Sequence, residues 1–156
     1  MKNQKLLLSD EEEDDLTLGL VRLSKEIPDY ELFFNINSCN ESKFSRIKDL
    51  KKTGQYFDYY HPRFETYHFE TKSCIQFIAN KSASFLEKTK QTELFSEEID
   101  INYLLPLYQE VNYIIKTSDI IPDFSLILLP ENLMFHIQDF YLSSTEELYQ
   151  LIQYYE

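Results

Sequence analysis

The stretch that decides the fold reads FETYHFETKSCIQFIAN and extends from Phe64 to Asn80. Apolar and polar residues alternate from Phe64 to Glu70 and again from Cys74 to Asn80. Such alternation is typical of a β-strand with one face on a core and the other towards water. With residues 71–73 as the turn, the two runs predict an antiparallel hairpin.

That three-residue turn also predicts the register of the hairpin. It pairs Tyr67 with Phe77 on an apolar face and His68 with Gln76 on a polar face. A histidine beside a carboxylate can act as a general base, so the polar face is the best candidate for an enzyme site. A solvated sheet face without activity is the alternative, and we favour it. The predicted polar face carries His68, Glu70 and Gln76, with Cys74 nearby.

One strand and one helix are predicted before the hairpin. The run from Leu16 to Leu23 is apolar on most of both faces, which favours a central strand. Pro28 fits the first position of a helix and acidic residues follow in the first turn, so a helix is expected from Pro28 to about Cys39. Residues 30–37 also fit an aromatic strand, and periodicity alone leaves both alternatives open.

Shorter elements are predicted after the hairpin. Ser84 and Glu87 have the spacing of a capping box, which predicts a short helix. Residues 89–100 have the composition of a polar connector. Two strand pieces are expected at residues 103–105 and 111–115, with a proline between them.

A final helix and the overall architecture follow from the remaining pattern. Residues 144–147 form a second capping box, which opens that helix. Strands in a cluster with helices near either end predict an α+β fold, with a largely antiparallel sheet and a few helices packed on one face. A length of 156 residues suits a single domain over 1–156, with 1–15 as a flexible acidic segment. The apolar face of the last helix would consist of Leu148, Leu151, Ile152 and Tyr155.

The sequence lacks the motifs that are typical of several kinds of enzyme and cofactor site. Gly19 and Gly54 are the only glycines, which leaves no glycine-rich loop for phosphates. Cys39 and Cys74 suggest no disulfide framework, and the cysteines and histidines lack the spacing of zinc ligands. No G-x-S-x-G nucleophile elbow is present. We therefore predict no catalytic, cofactor-binding or metal-binding residue, and favour a protein that is not an enzyme.

Charge is unevenly distributed along the chain, with 27 acidic and 15 basic residues and a net charge of −12. Residues 97–156 hold 11 acidic residues and one basic residue. An acidic surface repels phosphate backbones and anionic lipids, so nucleic acid and membranes are disfavoured and a basic protein partner is favoured. The run from Asp10 to Asp15 lacks the spaced ligands of a calcium loop and is expected to be solvated or to face a partner.

Residues 43–60 combine basic and aromatic side chains. Nucleotide bases can stack on aromatic rings while lysines hold phosphates, so this segment is the candidate for weak nucleic-acid binding. The overall acidity opposes that function, and the same patch could meet the acidic half of a second copy in a homodimer. The basic members are Lys43, Arg46, Lys48, Lys51 and Lys52, and the aromatic members are Phe44, Tyr56, Phe57, Tyr59 and Tyr60.

Residues 105–113, LPLYQEVNY, resemble the motif that names the IPExxxVDY family of small bacterial proteins. Leu107 and Asn112 stand where the family has Glu and Asp, so any chemistry of those acids would be absent. We favour a structural role, in which Pro106 ends one strand while Val111 and Tyr113 share a face of the next. The resemblance spans about residues 10–116 and implies a divergent member with no known activity. Further segments that carry it are DYELFFNIN at 29–37, FSRIKDL at 44–50, FETYHFE at 64–70 and IANKS at 78–82.

The function expected from these patterns is that of an interaction or regulatory protein without catalysis. Three consecutive leucines at residues 6–8 are too few for the apolar part of an export signal, so a cytoplasmic location is expected. Twelve tyrosines suit a binding surface, because tyrosine brings contact area at a low entropic cost. The expected partner is an unidentified protein with a basic surface, and a homodimer is the alternative.

Overall fold

The computed structural model describes residues 15–88, 100–119 and 121–155. The predicted acidic segment and the polar connector at 89–100 therefore lie almost entirely outside the described residues. No helix in these ranges is long and apolar enough to cross a membrane. The strands are β1 (Leu16–Val21), β2 (Ser45–Thr53), β3 (Phe57–His68), β4 (Ser73–Ala79), β5 (Ser84–Glu87), β6 (Tyr113–Thr117) and β7 (Gln138–Leu142). The helices are α1 (Asp29–Cys39), α2 (Glu147–Tyr154) and a short 3₁₀ turn (Phe124–Leu126).

These seven strands join one antiparallel sheet, which agrees with the largely antiparallel sheet of the predicted α+β fold. Its order is β2-β3-β4-β6-β1-β7, and β5 also pairs with β3. Strand β4 pairs with residues 63–68 of β3 and β5 pairs with residues 57–60, so β4 and β5 follow one another along β3. The strand at 16–21 is central, as predicted, between β6 and β7.

The hairpin forms, but its predicted register is wrong. Phe77 pairs with Phe64 instead of Tyr67, and His68 pairs with Ser73. Four residues, 69–72, make the turn, because Lys72 adopts a left-handed conformation with φ of 56°. The longer turn shifts the pairing of β3 with β4 by an odd number of residues. Each β3 side chain therefore shares a sheet face with β4 side chains that were predicted to lie on the opposite face.

Residues 84–87 form strand β5, so the short helix predicted from Ser84 and Glu87 is wrong. The backbone of β5 instead pairs with residues 57–60, so the backbone N–H and C=O groups of that part of β3 have hydrogen-bond partners. The final helix is confirmed, but it begins at Glu147 after Glu146, and no side chain caps it. Of the two strand pieces predicted at 103–105 and 111–115, only the second becomes a strand, β6.

The two helices cover opposite faces of the sheet, which corrects the prediction that helices pack on one face. Helix α1 contributes Phe33 and Ile36 to one apolar cluster, together with Phe64, Phe77 and other residues. Helix α2 contributes Tyr149 and Ile152 to the other cluster, on the reverse face. A central sheet with both faces buried explains why the strand Leu16–Val21 has apolar residues on both of its faces.

The sheet opens around Pro62, in the middle of β3. Proline cannot donate a backbone hydrogen bond, and in sheets it occurs at edges and bulges. On one side of β3 the pairing with β2 shifts between Ile47 and Leu50, which leaves two residues opposite Pro62. On the other side, residues 80–83 separate β4 from β5. This interruption leaves space at the end of β4.

Candidate functional site

Asn80 organises the loop that resembles the family motif. It is fully buried, and its Nδ2 donates to the carbonyls of Tyr108 at 3.0 Å and Val111 at 2.9 Å. Its Oδ1 accepts from the backbone nitrogen of Leu105 at 2.8 Å. One side chain thus satisfies three backbone groups of a segment 25 or more residues away in sequence. These side-chain hydrogen bonds add to the backbone bonds at the two ends of the loop, from Leu104 N to Asn80 O and from Asn80 N to Asn112 O.

Asn112 has a structural role that an aspartate could also fill. Its Oδ1 accepts from the backbone nitrogen of Leu23 at 2.8 Å, which continues the pairing beyond the end of β1. A carboxylate accepts in the same way. The expectation that Val111 and Tyr113 share one face is wrong, because Val111 belongs to the α2 cluster and Tyr113 to the α1 cluster.

A cavity of about 580 Å³ lies where the ends of β4 and β1 flank the start of β6, and we call it the Tyr113 cavity. Segments distant in the sequence meet here, and three of them carry the family resemblance. Those three segments contribute Asp29, then Ala79, Lys81 and Ser82, and then Gln109, Val111, Asn112 and Tyr113. The other lining residues are Leu23, Glu26, Ile27, Pro28, Pro62, Ala83 and Tyr103.

Tyr113 places an unpaired hydroxyl at this cavity. The residue is only 7% exposed, and its ring packs edge-on against Phe33 with centroids 5.7 Å apart. Within the described residues, the hydroxyl makes no hydrogen bond, and the only completely sealed side-chain atom without a partner is Oδ1 of Asp58. The Tyr113 hydroxyl therefore retains contact with the cavity. Burial, and to a lesser degree the nearby Asp29 carboxylate, raise the pKa of Tyr113, so the phenol is neutral.

The charged side chains of the cavity come from two sides of β6. Glu26 and Asp29 follow β1, whereas Lys81 follows β4. Asp29 has a loose ion pair with Arg46, at 3.8 Å, because Arg46 makes its short contact of 2.7 Å with Asp49. The cavity thus has carboxylates on one side and an ammonium group on the other.

A second concavity of about 780 Å³ lies between the tip of the β3–β4 hairpin and the segment after α1, and we call it the hairpin groove. Exposed apolar side chains line it. Phe69 is 79% exposed and meets Tyr67 edge-on, with centroids 5.0 Å apart. Leu126 and Leu128 add exposed apolar surface from the region of the 3₁₀ turn. The remaining lining residues are Cys39, Asn40, Glu41, Ser42, Lys43, Thr66, His68 and Glu70.

The structure separates the residues of the predicted polar hairpin face. His68 and Glu70 both line the hairpin groove, so a cleft does lie beside them. Their predicted neighbours Gln76 and Cys74 instead contact Glu65 on the other face, at 2.9 Å and 3.3 Å. His68 contacts Thr71, with Nδ1 at 3.1 Å from the hydroxyl, and makes no hydrogen bond with Glu70. The corrected register therefore leaves no assembled His–carboxylate pair among the described residues.

A polar network that the sequence did not predict lies on the α2 face. Arg63 is buried, donates to the carbonyl of Lys48 at 2.7 Å and stacks on Tyr155 with 5.0 Å to the ring centroid. Lys116 donates to the carbonyl of Ile152 at 2.8 Å, near the carboxyl end of α2. Burial and the Glu65 hydrogen bond raise the pKa of the Cys74 thiol, which keeps it protonated. The contacts of Arg63 with Tyr155 and of Lys116 with Ile152 attach helix α2 and the residue after it to the sheet.

His61 is a fully buried histidine that pattern analysis did not single out. Its Nδ1 donates to the carbonyl of Ala79 at 2.9 Å, and its Nε2 lies 3.2 Å from Nδ2 of Asn102 and accepts from it. Burial lowers its pKa to about 4, so the ring is neutral at physiological pH. His61 lies between half-buried Tyr60 and buried Pro62 in β3, and the sequence around it carries no motif, so no local signal marks it.

Two of the five aromatic residues in the basic segment 43–60 are buried, and the other three, Tyr56, Phe57 and Tyr60, are half-buried. Phe44 and Tyr59 are buried in the structure and present no ring face to a nucleotide base. Lys43 donates to the carbonyls of Asn37 and Asn40 at the end of α1. Lysines 48, 51 and 52 lie on β2, at one end of the strand order, where lysine discourages pairing with other sheets.

Comparison with known proteins identifies no relative. No family model matches the chain, and neither a curated protein nor a solved structure is significantly similar to it. The resemblance to the IPExxxVDY family therefore remains a prediction. Among the residues that the structure describes, no group of three or more His, Cys, Asp or Glu side chains is placed to hold a metal ion.

Proposed function

We propose that this chain is a non-catalytic interaction protein that binds a segment of another protein in the hairpin groove. The observation that carries the proposal is the exposure of Phe69 beside Tyr67 and two leucines in one concave surface. Contiguous exposed apolar surface in a concavity is typical of an interaction site, and aromatic residues supply much of the binding energy in such sites.

The groove also has a charge that favours a particular partner. Glu41 and Glu70 are exposed and take part in no ion pair within the described residues, whereas the Lys43 ammonium is engaged by carbonyls of α1. The net charge of −12 adds a long-range attraction for cations. The occupant is therefore a segment with apolar side chains next to a lysine or arginine.

A tagged pull-down from the native organism tests this proposal, with Phe69→Ala compared against Phe135→Ala. Phe135 is also exposed but lies outside the groove, so it controls for a general loss of surface hydrophobicity. We expect one stoichiometric partner that Phe69→Ala loses and Phe135→Ala retains. A double Glu41→Gln, Glu70→Gln variant should weaken the complex, as should salt at about 0.5 M. Equal capture by both alanine variants would contradict the proposed surface.

We also propose that the chain is a divergent member of the IPExxxVDY family. The convergence of three of its resembling segments at the Tyr113 cavity supports this proposal. The hydrogen bonds of Asn80 and Asn112 support a structural role for the motif, since both side chains hold backbone groups. Structures of recognised family members test the proposal: a loop of different shape at the position of 104–112 would contradict it.

A further inference from the structure

We propose that the Tyr113 cavity binds a small zwitterion of the amino-acid or short-peptide class. The site is separate from the hairpin groove, with which it shares no lining residue. Its volume of about 580 Å³ falls within the range of small-molecule sites, roughly 300–1,000 Å³.

Two hydroxyl groups on largely buried residues line the cavity and retain hydrogen-bonding capacity that such a ligand would use. The Tyr113 hydroxyl makes no hydrogen bond among the described residues, and it is not one of the sealed side-chain atoms without a partner, so it remains accessible from the cavity. Ser82 is 8% exposed and its Oγ accepts from the backbone nitrogen of Asn102 at 2.9 Å, but its own proton has no acceptor in the same part of the chain. Both groups can donate to a ligand oxygen.

The order of strands determines which side of the cavity carries positive charge and which side carries negative charge. Strands β4, β6 and β1 are neighbours in the sheet, so residues after β4 and residues after β1 lie on either side of Tyr113. Adjacent strands are about 4.8 Å apart, so the two sides are separated by roughly 10 Å before the side chains reach inwards. Lys81 and Ser82 lie on the first side, and Glu26 and Asp29 lie on the second.

This arrangement matches a molecule with opposite charges at its two ends. A ligand carboxylate is attracted to the Lys81 ammonium and accepts from the Ser82 hydroxyl. A ligand ammonium is attracted to Asp29 and Glu26, and the loose 3.8 Å contact with Arg46 leaves the Asp29 carboxylate available. The neutral phenol of Tyr113, between the two sides, is a donor that needs no counter-charge.

Thermal unfolding of the full chain with added probes tests the proposal. The probes are the twenty L-amino acids and the dipeptide Ala-Ala, each at 10 mM, with propionate and propylamine as singly charged controls. We expect at least one zwitterion to raise the Tm by about 3–5 °C when present at ten times its Kd. Propionate and propylamine should produce no comparable shift, because each meets only one side of the cavity.

Variants then assign the shift to this cavity. Tyr113→Phe removes only the hydroxyl and should reduce affinity at least threefold, while Tyr141→Phe, at an exposed position on β7, should bind normally. Asp29→Asn and Lys81→Gln should each weaken binding, which keeps the test decisive if Tyr113→Phe alters folding. Phe69→Ala should bind as the unmodified chain does, so this result is independent of the hairpin groove. No shift with any zwitterion, equal shifts with the singly charged probes, or undiminished binding by all three cavity variants would overturn the proposal.

Discussion

The ring of Phe33 on α1 stacks on the ring of Phe64 on β3, with centroids 3.9 Å apart and planes inclined by 17°. Phe33 also contacts Phe44, Phe77 and Tyr113 at edge or tilted angles. One aromatic side chain of the helix therefore touches β3, β4, β6 and the residue that precedes β2. This cluster explains the observed hairpin register, because pairing Phe64 with Phe77 places both rings under α1.

Replacing Phe33 should destabilise the fold far more than replacing its neighbour. Phe33→Ala removes a buried ring and leaves a cavity, so the free energy of unfolding should fall by about 3–5 kcal/mol. Phe34→Ala is the matched control on the same helix, since Phe34 is 71% exposed, and its change should stay within about 0.5 kcal/mol. Urea unfolding followed by circular dichroism measures both. Similar losses for the two variants would contradict the packing of α1.

Asn80 and Asn112 should respond differently to aspartate. At Asn80 an aspartate loses both donations from Nδ2 and buries a charge, so unfolding should become easier by about 3 kcal/mol or more. At Asn112 the bond to Leu23 needs only an acceptor, so Asn112→Asp should cost under about 1 kcal/mol. The same denaturation experiment compares them, with Asn112→Ala as the control that removes the acceptor. An Asn112→Asp loss as large as that of Asn112→Ala would show that the oxygen is unimportant.

Stability should depend on pH through His61. Its pKa in the folded chain is about 4, below the ordinary 6.5, so between these values the unfolded chain takes up a proton that the folded chain does not. The free energy of unfolding should therefore fall as pH drops from about 6.5 to 4, by up to about 3 kcal/mol from this residue. Above that window His61 contributes no pH dependence.

The measurement for His61 is the free energy of unfolding at half-unit steps between pH 4 and 7.5. Carboxylates with lowered pKa values, such as Glu110 beside Arg22, add to the decline at its acidic end. The informative quantity is therefore the difference from His61→Gln, which should show a shallower slope. Parallel curves for the original chain and His61→Gln would mean that His61 does not control this dependence.

Local sequence determined the types of most elements. The helix at 29–39, the final helix and the strands around 16–21, 64–68 and 73–79 follow from proline position, acidic first turns and hydrophobic period, which act over a few residues. The antiparallel character of the sheet follows as well, because short turns join strands that run in opposite directions. Because these patterns extend over only a few residues, they can be interpreted without knowing which distant residues are neighbours in the fold.

Tertiary structure decided the register, one element type and the candidate sites. The turn conformation at Lys72 and the packing of Phe33 on Phe64 set the hairpin register. Alternation alone does not fix that register, because strands of the same pattern can pair after a shift along the chain. Residues 84–87 carry a helix-capping signal, yet pairing with β3 outweighs it, because a short helix gains little on its own.

The sites themselves arise from contacts between distant parts of the chain. Asp29, Lys81 and Tyr113 meet only because β1, β4 and β6 are neighbours in the sheet, and strand order has no signature in local composition. The sequence by itself thus specified the type of the elements around 16–21, 64–68, 73–79, 113–117 and 147–154 and favoured a helix over a strand at 29–39, but it indicated neither β2 nor β7. Which side chains share a cavity depended on long-range packing, since that arrangement minimises exposed apolar area over the whole chain and not within any one segment.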